Sequence, residues 1–195
     1  MRGKALIFIA LVGYGAFHHF QHRSIVHGAG EIAPEEPLQE SSSMAQFQRD
    51  DFTLTPLASY AITARVLSTE DYFAGTEAKL SPVDLALGWG PMSDEAVLDK
   101  VKISQSHRFF YWHVDQFPIP QQQIEMHAAN MHIIPANDLI EQQIAKVRVG
   151  QLVALKGQLV EAKKADGWHW RSSLSRNDTG NGACELMYVT EFTVR

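Results

Sequence analysis

The stretch QLVALKGQLVEAKKADGWHWRSSLSRNDTGNGACELMYVTEFTVR, residues 151–195, decides the fold. Its first part places Val153, Leu155 and Leu159 on one face, which is the period of a half-buried strand. Gly157 lies between them, and a glycine inside a strand indicates a bend or a close approach of another backbone. The turn signal at residues 165–167, Ala-Asp-Gly, predicts that the chain then reverses into a second strand.

The returning strand and the end of the chain continue this pattern. Alternate side chains of the returning strand share one face, and they are Trp168, Trp170, Ser172 and Leu174. A polar, glycine-rich loop at residues 175–182 then leads to a third alternating segment, residues 184–194. Three successive strands joined by turns predict an antiparallel meander.

The preceding residues add more strands and a few short helices. Residues 60–66 alternate as a strand, and the aromatic-rich residues 103–114 have strand character with large apolar groups on both faces. Helix starts are predicted at Ser81, at Ser93 and at Asn137 or Asp138, because these residue types favour the N-cap position. We therefore predict a mainly β chain with short helical inserts (α+β), arranged as a small antiparallel OB-like barrel or meander and preceded by an N-terminal membrane helix.

The N-terminal residues have the composition of a membrane-targeting segment. Arg2 and Lys4 precede an apolar run at residues 5–17, which is shorter than the ~20 residues usually needed for a span. A small-x-small cleavage site does not follow at the expected place, so residues 1–26 are predicted to be an uncleaved signal anchor that holds the membrane through residues 5–20. A cleaved signal peptide and a buried helix are the alternatives. The basic N-terminus favours a cytoplasmic start, which would put the C-terminal domain of a bacterial inner-membrane protein in the periplasm.

The remaining chain divides into a linker and one domain. Residues 27–50 are rich in Pro, Glu, Ser and Gly and contain few large apolar groups, which is typical of a flexible linker. Residues 51–195 then form a soluble, strand-rich domain of ordinary size. The net charge is −5 and there is no Lys/Arg block, so a nucleic acid is an unlikely partner. Cys184 is the single cysteine, which excludes an intrachain disulfide.

Cys184 is also the candidate nucleophile of the chain. It follows a glycine-rich loop of the kind that exposes reactive groups, and His127, His132 or His169 would be its base, with Asn130 or Asp178 orienting that base. The alternative is a core thiol, because Cys184 shares the phase of Leu186 and Tyr188, and cysteine is among the most buried residue types. His127 and His132 are five positions apart, a spacing that suits neither a helix face nor a strand face, so no metal site is predicted.

Two further groups of residues are candidates for binding. The polar group near the C-terminus would clamp a small anion or an acidic loop of a partner, and it consists of Arg171, Ser173, Arg176, Asp178 and Glu185. The aromatic group would stack sugars or bases on the sheet or serve as core, and it consists of Phe109, Phe110, Tyr111, Trp112, Trp168 and Trp170.

These observations favour binding over catalysis. We expect a membrane-anchored envelope protein whose extracytoplasmic domain binds a protein partner in the cell envelope or a small ligand, without a cofactor. A membrane-tethered Cys/His hydrolase or transferase that uses Cys184 is one alternative hypothesis. An OB-like binder of single-stranded nucleic acid is another, and it would require a steep salt dependence.

Overall fold

The computed structural model describes residues 23–175 and 183–195. The described part of the chain is mainly β, with 46% of its residues in strands and a few short helices. The strands are β1 (Leu38–Ser41), β2 (Phe47–Arg49), β3 (Phe52–Asp71), β4 (Val83–Gly88), β5 (Lys102–Ser106), β6 (Phe109–His113), β7 (Ala128–Pro135), β8 (Leu152–Lys163), β9 (His169–Arg171) and β10 (Glu185–Val194). The helices are α1 (Thr76–Leu80), α2 (Glu95–Leu98), α3 (Gln121–Met126) and α4 (Asp138–Ile144), with a 3-10 turn at Gly90–Ser93.

The predicted anchor falls almost wholly outside the described part of the chain. Within residues 23–175 and 183–195, no helix is both long enough and apolar enough to cross a membrane. Residues 1–22 are outside that range, so the anchor at residues 1–26 stays a prediction.

Five strands close into a ring in the order β3-β4-β7-β10-β8, and β8 pairs again with β3. Closure depends on the length of β3, which has 20 residues and pairs with β8 along its first part and with β4 along its last part. The β7–β10 pair is parallel, whereas the other pairs of the ring are antiparallel. The predicted alternation at residues 60–66 is confirmed, because Tyr60, Ile62, Ala64 and Val66 all lie in the core.

The glycine inside β8 is a point of close backbone approach, as its position in the sequence indicated. A Cβ atom on Gly157 would lie 1.9 Å from the carbonyl oxygen of Tyr188 in β10. Only a residue without a side chain allows the two strands to pair here.

The predicted meander of the last three strands is wrong in its order. β9 pairs only with the last residues of β8, whereas β10 pairs with the preceding residues of the same β8 edge and, on its other side, with β7. The reason lies in the apolar content of β10, since Leu186, Met187 and Val189 are all buried. A strand whose adjacent residues are both apolar must be covered on both faces, so β10 occupies a central position and the short β9 stands at the edge.

The helix predicted to begin at Ser81 is also wrong. The residues that follow form β4, and all six of them are buried. A short apolar run of this kind is compatible with a buried strand as well as with a helix, and here the neighbouring strands β3 and β7 decide. The other two helix starts are confirmed to within a residue, because Asp94 caps α2 and the side chain of Asn137 accepts a hydrogen bond from the backbone N–H of Ile140 at the start of α4.

The single aromatic strand predicted at residues 103–114 is a hairpin. β5 and β6 pair antiparallel around the two-residue turn His107-Arg108. Both turn residues have positive φ, 53° and 70°, as a type I′ turn requires. Neither is a glycine or an asparagine, so the turn has no local sequence signal and its strained backbone is stabilised by contacts of Arg108 described below.

Residues 27–50 differ from the flexible linker that their composition predicts. β1 and β2 lie in this range, and both pair with β3. Ala33 is buried, and the carboxylate of Glu36 accepts a hydrogen bond from Nε1 of Trp89 at 3.1 Å. The segment therefore lies against the barrel, because backbone pairing and a few specific side chains replace the large apolar groups that it lacks.

Candidate functional site

Two cavities meet at Cys184, beside the β5–β6 hairpin. The first, here called the aromatic cavity, has a volume of about 300 Å³. Its described lining residues are Trp89, Phe109, Phe110, Tyr111, Trp112, Glu125, Ala128, Ala129, Asn130, Ser175, Ala183, Cys184 and Glu185. The second, here called the polar cavity, has about 310 Å³. Its described lining residues are Glu77, His107, Arg108, Phe109, His132, Trp170, Arg171 and Cys184.

Arg108 holds the hairpin against the barrel. Its Nη1 donates to Oδ1 of Asp84 at 2.6 Å, and its Nη2 donates to the carbonyl oxygen of Ser81 at 2.9 Å. The guanidinium carbon lies 3.5 Å from the centre of the Tyr72 ring, which is a close cation–π contact. The side chain of Asp84 is fully buried, so its charge depends on this partner.

Tyr72 binds the same turn through its hydroxyl group. The backbone N–H of Arg108 donates to the phenol oxygen at 2.9 Å. Burial of the phenol raises the pKa of Tyr72 to about 12, although the hydrogen bond from Arg108 acts in the opposite direction. The neutral phenol is therefore the form that fits the folded state.

Asn130 links the hairpin to Cys184. Its Nδ2 donates to the carbonyl oxygen of Arg108 at 2.9 Å, and its Oδ1 accepts from Nε2 of Gln105 at 2.6 Å. The same Nδ2 lies 3.8 Å from the sulfur of Cys184, and the thiol is 3.8 Å from the carbonyl oxygen of Arg108. Cys184 is half-buried and lines both cavities, so it is neither a fully buried core thiol nor an exposed one.

His132 lines the polar cavity together with Cys184, as one of the sequence hypotheses requires. The imidazole is nearly buried, and its Nδ1 lies 2.9 Å from Oδ1 of Asp84. This contact is not a hydrogen bond, and the buried Nδ1 has no hydrogen-bond partner among the described residues. Trp170 packs on the ring, with 4.6 Å between the ring centres.

Asp84 lies beside His132 but was not among the site residues predicted from the sequence. Asp84 falls where a helix was predicted to begin at Ser81, and this prediction fails because β4 forms there. Only the pairing of β4 with β7, which sets Asp84 opposite His132, brings the two together. Asp178, one of the predicted orienting groups, lies outside the described residues, whereas Asn130 contacts the thiol directly.

His127 belongs to a different part of the molecule. Its Nδ1 is 2.8 Å from the carbonyl oxygen of Gln123, and its Nε2 is 3.1 Å from the carboxylate of Glu36. It lines neither the aromatic nor the polar cavity as far as their described residues go. In the described part of the chain, no group of three or more His, Cys, Asp or Glu side chains is arranged to hold a metal ion.

The described members of the predicted polar group are divided between the two cavities and the backbone that joins them. Arg171 lines the polar cavity and lies 3.6 Å from Glu161, whereas Glu185 is buried and lines the aromatic cavity. Ser173 donates its backbone N–H to the carbonyl oxygen of Cys184 at 3.1 Å, which joins the end of the returning strand to the start of β10. Arg176 and Asp178 lie outside the described residues.

Four members of the predicted aromatic group line the aromatic cavity, and they are Phe109, Phe110, Tyr111 and Trp112 of β6. The two tryptophans of that group at positions 168 and 170 lie elsewhere: Trp170 lines the polar cavity, and Trp168 packs edge-on against Phe52. Comparison with family models, with curated proteins and with solved structures finds no match for this chain.

Proposed function

We propose that this chain is a membrane-anchored envelope protein whose domain recognises a partner or a small ligand through the aromatic cavity. The observation that carries the proposal is the cavity itself, with five aromatic residues and a few polar groups around about 300 Å³. Binding sites are concave and mostly apolar with a small number of polar groups, and this cavity has that composition.

The order of the strands supports a binding role for this place. If the ring strands are numbered along the chain, β3, β4, β7, β8 and β10 are first to fifth, and the parallel pair joins the third to the fifth. We propose that the ring is OB-like, a barrel in which ligands bind on the face of the second and third strands beside the loop between the fourth and fifth. The aromatic cavity lies there, since Ala128, Ala129 and Asn130 belong to β7, and Ser175 and Ala183 to the connection between β8 and β10.

The predicted anchor would hold the domain close to the bilayer. Ile25 lies five positions beyond residues 5–20, the part of the anchor that is predicted to hold the membrane, and it donates its backbone N–H to the carbonyl oxygen of Val149 at 2.8 Å. His27 donates its backbone N–H to the carboxylate of Glu95 at 2.7 Å. A chain bound to the domain from residue 25 onwards leaves little free length, so we propose that the domain sits near the membrane surface instead of at the end of a long tether.

The four tryptophans provide a direct test of the proposed cavity. Trp89 and Trp112 line the aromatic cavity, Trp170 lines the polar cavity, and Trp168 lines neither. The full chain, labelled with nitrogen-15 at the indole groups and held in lipid nanodiscs, would be titrated with p-cresol and followed by NMR. We expect saturable shifts of Trp89 and Trp112 while Trp168 stays unchanged. Equal shifts of all four signals, or none, would contradict the proposal.

A membrane-tethered Cys/His hydrolase or transferase is the second candidate function. It is favoured by one observation, that Cys184 and His132 line the same cavity while Asp84 lies beside Nδ1 of that histidine. In this function His132 takes the thiol proton, Asp84 stabilises the imidazolium, and the thiolate attacks the acyl carbon of an ester or amide. The bond from that carbon to its alcohol or amine breaks as the imidazolium returns the proton to this leaving group, and water or an acceptor alcohol or amine then releases the acyl group from Cys184. The rate at which iodoacetamide alkylates Cys184 would be measured as a function of pH. In this function His132→Gln loses the reactivity of the thiol at low pH, whereas an unchanged pH profile of the rate would exclude this role.

A further inference from the structure

The outer edge of β6 pairs with no strand in the described part of the molecule. β6 pairs with β5 on one side only, and the two strands form a separate two-stranded sheet. We infer that this edge accepts an extended segment of a partner polypeptide, which adds to the hairpin as a third strand beside the aromatic cavity. The inference rests on the proposed function of the cavity and names the kind of partner.

The register of the hairpin shows which backbone groups face outward. In a two-residue hairpin the residues that flank the turn form a hydrogen-bonded pair, and here they are Ser106 and Phe109. Hydrogen-bonded and non-hydrogen-bonded pairs then alternate, so Tyr111 bonds back to β5 whereas Phe110 and Trp112 turn their N–H and C=O groups away from it. Apart from the ladder with β5, the described residues supply no backbone partner to Phe110 or Trp112.

The aromatic cavity lies along this same edge. Four consecutive residues of β6, from Phe109 to Trp112, line it, although successive side chains of a strand point to opposite faces. A cavity touches all four only if it runs beside the strand, and none of its described lining residues belongs to β5. The free N–H and C=O groups therefore meet the cavity, where an extended backbone would satisfy them.

The chemistry of the lining indicates what the added segment carries. A strand that pairs with β6 directs alternate side chains to one face, and a cavity of about 300 Å³ has room for a large apolar side chain. The described lining includes the carboxylate of Glu125 and no Lys, Arg or His. The partner segment is thus extended, with an apolar anchor residue and with neutral or basic neighbours.

Amide hydrogen exchange of the full chain in nanodiscs tests whether the edge is open. In the free protein, the amides of Phe110 and Trp112 should exchange at least tenfold faster than those of Phe109 and Tyr111, which bond to β5. Equal protection at all four positions would overturn the inference. If that protection disappears on dilution, a second copy of the chain is the occupant, and if it does not, the chain covers its own edge.

Selection from a displayed library of random linear peptides supplies the probe. We expect peptides with apolar residues at alternate positions, and their binding should protect Phe110 and Trp112 from exchange. Backbone N-methylation of the peptide should weaken binding about tenfold at every second position and change it little at the positions between, because only alternate N–H groups face β6. Uniform effects of N-methylation, or a library without binders, would overturn strand addition. The p-cresol titration is independent of this result, so the cavity's proposed function survives or fails separately.

Discussion

Removal of the Arg108 side chain tests whether the hairpin depends on the buried charge pair. The substitution Arg108→Ala deletes the partner of Asp84, whose side chain has 0% exposure, while Arg108 itself is 12% exposed. It also removes the hydrogen bond to Ser81 and the stacking on Tyr72. Among the described residues no other Lys or Arg side chain pairs with Asp84, whose other close neighbour is the imidazole of His132.

The size of the effect follows from the burial of Asp84. Breaking a buried pair and leaving one charge uncompensated costs about 3–5 kcal/mol. The cation–π contact is worth about 1–2 kcal/mol in a desolvated site, but it is not additive with the charge term because the same side chain makes both. We expect the free energy of unfolding of Arg108→Ala to fall by about 3 kcal/mol, the lower end of that range, because the polar imidazole of His132 stays beside Asp84.

Urea unfolding of the full chain in a mild detergent, followed by tryptophan fluorescence, measures this difference. Arg171→Ala is the matched control, because Arg171 is half exposed and contacts Glu161 only at 3.6 Å, so its loss should cost under about 1 kcal/mol. The double variant Arg108→Met with Asp84→Asn should recover most of the lost stability, since it removes the stranded charge. A loss of less than about 1 kcal/mol in Arg108→Ala would refute the reasoning, because a carboxylate left alone in the core costs more than that.

Three other predictions concern separate parts of the molecule. Burial raises the pKa of Tyr72 to about 12, above the value of about 10 in the unfolded chain, so its contribution to stability is present below pH 10 and is lost as the pH rises towards 12. Ultraviolet titration should show one tyrosine that ionises at a higher pH than the others, and Tyr72→Phe should remove that transition. Gly157→Ala places a Cβ 1.9 Å from a backbone oxygen of β10, and it should lower the free energy of unfolding by about 2 kcal/mol or more in the same urea experiment. Gly167→Ala is the control and should cost less, because there is open space around its Cβ although its φ is positive. Burial raises the pKa of Glu95, but hydrogen bonds from His27 and Arg65 outweigh this effect and hold the pKa below its usual value. The stabilisation by Glu95 is therefore present above pH ~4.3 and is lost in more acidic solution. Hydrogen exchange of the Ile25 and His27 amides should accelerate as the pH falls, and Glu95→Gln should flatten this dependence.

Local patterns in the sequence were reliable wherever one segment carries its own signal. The alternation at residues 60–66 predicted the core face of β3, and Asn137 predicted the start of α4, because strand faces and helix caps depend on neighbours along the chain. Gly157 similarly indicated the close approach that β10 makes to β8. The predicted β-rich fold with short helices follows from such signals and matches the structure.

The errors arose where distant segments decide. β4 looks like the start of a helix until β3 and β7 cover it on both sides, and the two strands of the aromatic hairpin look like one strand because their turn has neither glycine nor asparagine. Residues 38–41 and 47–49 lack the apolar content of a strand, yet the exposed edge of β3 supplies their hydrogen bonds. In each case a backbone partner far away in sequence outweighs the local propensity.

A basic, apolar N-terminus, one cysteine, no strong positive charge and a strand-rich C-terminal region are properties that can be read from the sequence alone. The closure of the strands into a ring and the side chains around Cys184 depend on contacts between distant segments. A period of two fixes which face a residue occupies, but it does not fix which strand lies beside it. Asp84, Arg108 and His132 meet because ring closure and a hairpin turn bring together three segments whose own sequences carry no sign of one another.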